Sequence, residues 1–300
     1  MKVSTKQDAP SENTPGLTPS ARMGRVLDLL KARDLVLVSE LIEEFSVSEV
    51  TIRKDLNELV RQGLVERIRG GARATTAGRA QDELAIDVRL GMRIAEKRAI
   101  AAAAAEMIDD GEAIALDCST TAYYLALELK DKKELVVITN GLLAAQALAP
   151  FPGIVVMLVG GLLRAASLST VGDMASESLR NTQVTCGFFG ARGLSSERGL
   201  MELNPEEVRL KRELVESCET VVGLVDYTKW TRPGLQAFAD PDQVDTIITD
   251  TRAPEELFEG WRARGISVIA VEPGSSAQVT SPHDSRRRAP SPGSPREGAY

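Results

Sequence analysis

Histidine is all but missing from this 300-residue chain; the single one, His283, sits in a Pro/Ser-rich tail. Catalysis by a Ser-His or Cys-His pair needs an imidazole beside the nucleophile and is nearly excluded. Cysteine is scarce as well. Cys118, Cys186 and Cys218 lack any Cys-x-x-Cys spacing and have no histidine nearby, so buried thiols are expected, with no metal, disulfide framework or cofactor. Long apolar runs are absent, since the stretches 99–105 and 154–161 fall well short of the ~20 residues needed to cross a bilayer. The first 20 residues lack the apolar core of a secretory signal or transit peptide. A cytoplasmic location without a membrane partner is the expectation. A basic coat is lacking too: the net charge is −7, and counterion release requires clustered Lys and Arg, so any nucleic-acid surface must be local.

What is present falls into two units. Residues 1–20 and 273–300 are Pro/Ser-rich without apolar periodicity and are expected to be disordered. The run Arg286, Arg287, Arg288 in the tail reads as a solvated charge run. Between 21 and 73 the pattern gives three short amphipathic helices and an extended segment. Val26, Leu27, Leu29 and Leu30 mark the first helix; Ser39 is the expected cap of the second, with Leu41, Ile42 and Phe45 as its apolar face. A polar linker, 74–82, leads to a unit spanning 83–272. There a long Ala-rich helix over 93–108 precedes apolar runs at 113–116, 135–138, 154–159, 184–189, 221–225, 246–248 and 267–271. Such runs, alternating with helical patterns, predict a mostly parallel sheet covered on both faces.

The third helix, 48–62, carries most of the information in the first unit. Ile52, Leu56 and Leu59 share one face, while Val50, Thr51, Lys54, Asn57 and Arg61 lie broadly opposite. Thr51, Lys54 and Asn57 have the donor chemistry to read base edges, and Val50 suits a thymine methyl. Arg53 on the flank and the helix start at Ser48 suit backbone phosphates. Beyond it, Gly63 to Ala72 alternates and turns at Gly70-Gly71, with Arg67 and Arg69 toward one side, as a wing would. Three-helix units also serve as protein-binding modules, and the polar face alone does not choose between them.

The residues Val47-Ser48-Glu49-Val50-Thr51-Ile52-Arg53-Lys54-Asp55-Leu56, with Gly63 and Arg69-Gly70-Gly71-Ala72, closely resemble the signature of the DeoR family of bacterial repressors. The resemblance runs from about residue 22 to 269. It implies a winged helix-turn-helix that binds a double-stranded DNA operator. Where members commonly carry a histidine before Gly-Gly-Ala, this chain has Arg69.

In the second unit the strands end in small, polar or charged residues: Asp117-Cys118-Ser119-Thr120-Thr121, Thr139-Asn140, Gly160-Gly161, Gly190 to Gly193 and Asp226-Tyr227-Thr228-Lys229. Ligands of open α/β sheets bind beyond the carboxyl ends of strands. Ser119, Thr120 and Thr121 precede a helix, where they either cap it or hold an anion. Lys211 falls inside an apolar arc formed with Val208, Leu214, Val215 and Cys218, so it must snorkel or meet an anion. With Lys229 at a strand end, two cations suit a phosphate. The same stretches resemble the DeoR effector domain, whose fold is similar to ribose-5-phosphate isomerase. That resemblance implies a phosphorylated sugar surrounded by Asp117, Thr120, Thr121, Gly160, Gly161, Phe188, Gly190, Lys211, Asp226 and Lys229. Two residues depart from the family pattern: Ser119 replaces the loop glycine, and Thr185 stands where many members have an aspartate.

Two functions follow. One is a repressor of sugar or carbohydrate genes, a homodimer or homotetramer without catalytic residues, released by a phosphorylated sugar. The other is a sugar-phosphate isomerase-like enzyme with an appended helical domain, for which Asp117 or Asp226 would supply the carboxylate base.

Overall fold

Apolar side chains recurring at helical spacing close three helices around one small core: α1 (Pro19–Arg33), α2 (Val38–Phe45) and α3 (Glu49–Arg61). The computed structural model describes residues 19–33, 35–75, 84–232 and 234–274. The segments 1–18, 76–83 and 275–300, with His283 and the Arg286 to Arg288 run, lie outside the described residues. Helix α1 begins at Pro19, inside the stretch 1–20 that the composition gave as disordered. Val26, Leu27, Leu30, Leu41, Ile52, Leu56 and Leu59 are fully buried, each stabilising the unit by about 1.5–3 kcal/mol.

The expected cap of α2 is corrected. Leu37, not Ser39, is the N-cap residue, and the Glu40 carboxylate accepts its N–H at 3.0 Å. The reason is a strand that the apolar pattern hid: β1 (Leu35–Leu37) runs straight into the helix, and Val38 N–H donates to Gly70 O at 2.8 Å. β2 (Val65–Ile68) and β3 (Gly71–Ala74) form the expected hairpin, and the antiparallel order is β1-β3-β2. Gly70 turns with φ +79, and a Cβ on Gly71 would lie 2.2 Å from Val36 O, so both glycines are required for three strands to meet.

The second unit begins with α4 (Ile86–Leu90) and α5 (Ile94–Ala105), then β4 (Ala113–Leu116), α6 (Thr120–Glu128), β5 (Leu135–Thr139), α7 (Leu142–Leu148) and β6 (Ile154–Leu158). A hairpin of β7 (Leu162–Arg164) and β8 (Ser169–Val171) leads to α8 (Asp173–Ser178) and β9 (Val184–Gly190). Next come β10 (Gly193–Ser195), β11 (Gly199–Glu202), α9 (Pro205–Glu216) and β12 (Cys218–Leu224). β13 (Gln236–Ala239), β14 (Thr246–Asp250), α10 (Glu259–Arg262) and β15 (Ser267–Val271) complete it.

All the predicted apolar runs enter one seven-stranded sheet of order β15-β14-β12-β9-β4-β5-β6, parallel at every pairing. Successive side chains serve opposite faces: Phe188 packs with Ile100, Leu125 and Ile248, whereas Phe189 joins Leu214, Phe238 and Trp261. Residues buried on both faces explain why these strands read as continuous apolar runs. The order places β4, β9 and β12 side by side, so the residues after their carboxyl ends converge.

Candidate functional site

On α3 the two predicted faces separate. Ile52, Leu56 and Leu59 are buried, whereas Lys54, Asn57, Arg53 and Arg61 are exposed, and Val50 keeps 77% of its surface in solvent. Ser48 caps the helix by accepting Thr51 N–H at 3.2 Å, and its hydroxyl lies 2.9 Å from that of Thr51. Arg53 is drawn back to Glu49 at 2.7 Å and Arg61 to Glu58 at 2.9 Å, so both cations start from intrahelical pairs. Lys54 and Asn57 have no protein partner among the described residues. In the wing Arg67 and Arg69 are exposed, and Arg73, which the sequence reading passed over, adds a third cation, 3.8 Å from Glu66 across the hairpin.

At the carboxyl ends of β4, β9 and β12 lies a cavity with about 870 Å³ of empty space, its open mouth included. Ser119, Thr120, Thr121, Gly190, Lys211, Asp226 and Lys229 line it, as the strand-end argument predicts. Asp117 sits immediately behind, with none of its surface exposed, and accepts Ser119 N–H and Gly190 N–H, both at 2.9 Å. Gly160 and Gly161 are not brought to it. They are exposed in the β6–β7 connection, where a Cβ on Gly161 would lie 2.5 Å from Val171 O, so their role is a close turn. Thr185 is also remote: near the amino end of β9 it donates to Ala113 O at 2.8 Å, five residues or ~17 Å from Gly190. Its departure from the family pattern leaves the lining of this cavity unaltered.

Ser119 caps α6 by accepting Ala122 N–H at 3.1 Å. Lys211 is buried as its apolar arc requires, but the anion it meets is the protein's own. Its Nζ lies 2.9 Å from Asp117 and 2.9 Å from Glu202, and donates to Gly190 O at 2.9 Å. Burial opposes the charge, yet Asp117 and Glu202 hold the ammonium well above its ordinary pKa. Asp226 caps the turn Tyr227–Lys229 by accepting Thr228 N–H at 2.9 Å, which positions Lys229. Burial works against the Asp226 carboxylate, but Arg93 and Lys229 keep it well below the usual carboxylate range.

Five further cations line the cavity that the sequence reading did not single out: Arg89, Arg93, Lys97, Arg192 and Arg232. Arg93 and Lys97 are one helical turn apart at the start of an otherwise alanine-rich helix, a signal that was available. The positive charge is crowded. Burial, with Arg93 and Arg232 nearby, pulls Lys229 down to about 8 despite Asp226, and burial, then Arg93 and Arg192, lowers Arg232 to about 10. Burial followed by Arg93 also pushes Lys97 well below the usual lysine value, and its Nζ donates to Arg89 O. Glu202, Glu207 and Asp226 are the lining carboxylates, and Glu207 is already bonded to Arg164 at 2.5 Å and Ser169 at 3.2 Å. Arg89 Nε is buried without an acceptor among the described residues. Among the described residues no cluster could hold a metal ion, and no helix is long and apolar enough to cross a membrane.

Comparison with known proteins gives a family for each of the two units. Residues 22–77 match the DeoR-like helix-turn-helix domain and residues 92–251 the DeoR C terminal sensor domain. The HTH-type transcriptional regulator GolR of Listeria innocua is 31% identical over 255 residues, 85% of this chain and 99% of the relative. The glycerol-3-phosphate regulon repressor of Escherichia coli K12 is 31% identical over 238 residues, 79% of this chain and 93% of the relative. Among solved structures, ribose 5-phosphate isomerase A from Neisseria gonorrhoeae covers 45% of this chain and 52% of its own at 14% identity, with a TM-score of 0.34. That likeness is too slight to carry an argument. The isomerase-like alternative also fits poorly with Asp117, which is fully buried against Lys211. The chain belongs to the DeoR family and is a DNA-binding transcriptional regulator, not an enzyme.

Proposed function

We propose that this regulator is a cytoplasmic repressor of carbohydrate genes that holds an operator with α3 and the wing and releases it when a small phosphorylated sugar occupies the cavity. The observation that carries the effector assignment is the excess of buried positive charge around Lys229, which a dianionic phosphate would relieve. Lining hydroxyls and carboxylates, among them Thr120, Glu202 and Glu207, suit the hydroxyl groups of a sugar. The likeness to a glycerol-3-phosphate regulon repressor supports a small phosphorylated ligand. On the DNA side Thr51, Lys54 and Asn57 read base edges, Val50 meets a thymine methyl, and Ser48, Arg53, Arg61, Arg67 and Arg69 meet phosphates.

A thermal-shift screen of sugar phosphates against the full chain, with and without operator DNA, tests the assignment. The correct ligand raises the melting temperature of the free protein and weakens operator binding. Lys229→Met should weaken the identified ligand roughly tenfold or more, the loss of one charge-assisted hydrogen bond. Affinity should also fall as pH rises through about 8, because the ammonium form of Lys229 attracts the anion. Phosphate itself, with its second pKa near 6, stays dianionic across that window. Calorimetry at pH 7 and pH 9 giving equal affinity would remove Lys229 from the site.

The same reading includes a homodimer or homotetramer. In its support, Val155, Met157 and Leu158 on the edge strand β6, with Leu162 and Leu163 on β7, are exposed apolar side chains. Val155→Lys with Met157→Lys should give a folded monomer by light scattering; an unchanged assembly would put the interface elsewhere.

A further inference from the structure

One wall of the cavity is made by the segment that joins it to the DNA-binding unit. Leu84, Arg89, Met92 and Arg93 all line it, and α4 lies among them. Helix α1 rests on this segment backbone to backbone. A Cβ on Gly24 would lie 2.3 Å from Val88 O, and one on Gly91 would lie 2.1 Å from Ala21 O, so no side chain cushions the contact. A displacement of residues 88–91 is therefore passed to α1 directly.

Arg93 stands where the wall ends. Its Nε lies 3.2 Å from Asp226, in the cavity, and its Nη1 lies 3.2 Å from Asp28, on α1. Its backbone N–H donates to the same Asp28 carboxylate at 2.7 Å, while the residue holds a left-handed φ of 50. The two carboxylates are not equally held. Asp226 has 2% of its side chain exposed, whereas Asp28 has 24% exposed and borders solvent. Of the two, Asp28 is the one that water can take over. Helix α1 is joined in turn to the reading helix by a buried fork from Arg22 to Asp55, at 2.5 and 3.1 Å.

We infer that Arg93 is the element through which the cavity governs the reading helix: a phosphate-type anion in the cavity draws the guanidinium away from Asp28, and α1 loosens from the segment it rests on. The inference rests on the cavity being an anion site. Asp28 and the anion then compete for one cation, and their linkage is reciprocal. Neutralising Asp28 must strengthen anion binding, which a merely structural Asp28 would not do.

The test uses the full chain and inorganic phosphate as the probe. Calorimetry on wild type, Asp28→Asn and Asp28→Glu should show phosphate binding about threefold or more tighter in Asp28→Asn, and near wild type in Asp28→Glu, which keeps the charge. Hydrogen exchange of the 19–33 amides should quicken when phosphate is added to wild type, and this comparison decides alone should Asp28→Asn fail to fold. Equal phosphate affinity in all three proteins, with exchange in α1 unchanged by phosphate, overturns the coupling and leaves the anion site standing. Absence of phosphate binding in any of them overturns both.

Discussion

Replacing Lys211 by alanine should lower the unfolding free energy by about 3–5 kcal/mol, the usual cost of leaving a buried charge without its partner. Asp117 has no exposed surface, and Lys211 is its cationic partner at 2.9 Å. The sequence argument gave this lysine to the ligand's phosphate. Its position between Asp117 and Glu202 gives it a prior task, joining β4, β11 and α9 beneath the cavity. Denaturant unfolding checks the point. A double variant, Lys211→Met with Asp117→Asn, removes both charges and should recover much of the loss, because an unpaired charge costs more than a missing pair. A single variant that unfolds at the wild-type midpoint would show that Asp117 does not depend on Lys211 for its stability.

The second large effect is on DNA. Lys54→Ala and Asn57→Ala should each weaken the operator by about 1–3 kcal/mol, or roughly 5- to 150-fold, with the fold unchanged. Both side chains are exposed on α3, opposite the buried Ile52, Leu56 and Leu59. Arg53→Ala should cost less and mainly reduce the salt dependence, by about one in the logarithmic slope. Its guanidinium must first leave Glu49, 2.7 Å away. Anisotropy titrations on an operator selected from a random pool measure all three. Wild-type affinity in both Lys54→Ala and Asn57→Ala would move the reading surface off α3.

The sequence was most legible where one physical cause acts locally. Strands buried on both faces write themselves as Val/Ile/Leu runs, which is why 113–116 and 267–271 coincide with β4 and β15. Asn204 caps α9 one residue before Pro205, a local pattern, and accepts two helix N–H groups, at 3.0 and 3.2 Å. Three-residue strands such as β1 have no room for periodicity, so the strand was missed and the cap of α2 with it. Long-range pairing was the other blind spot. Lys211 correctly read as a lysine needing an anion, but Asp117 is 94 positions away and nothing local names it. Arg93 looked like the first residue of a helix; its bonds to Asp28 and Asp226, 65 and 133 positions distant, make it a joint.

The bare contact between α1 and residues 88–91 bears on how such regulators can be recombined. A chimera joined between Thr75 and Leu84 would seem to exchange whole modules, yet it would cut across the surface that makes them one machine. Any donor helix with a side chain where Gly24 stands would meet Val88 O, 2.3 Å from the added Cβ. A glycine inside a helix costs about 1 kcal/mol relative to alanine, so donors that do not need the contact have reason to lack it. Chimeras built at that joint should bind the donor's operator and ignore the effector. Those in which the recipient's Ala21, Gly24 and Asp28 are grafted onto the donor helix should respond again, which places the exchangeable boundary inside α1.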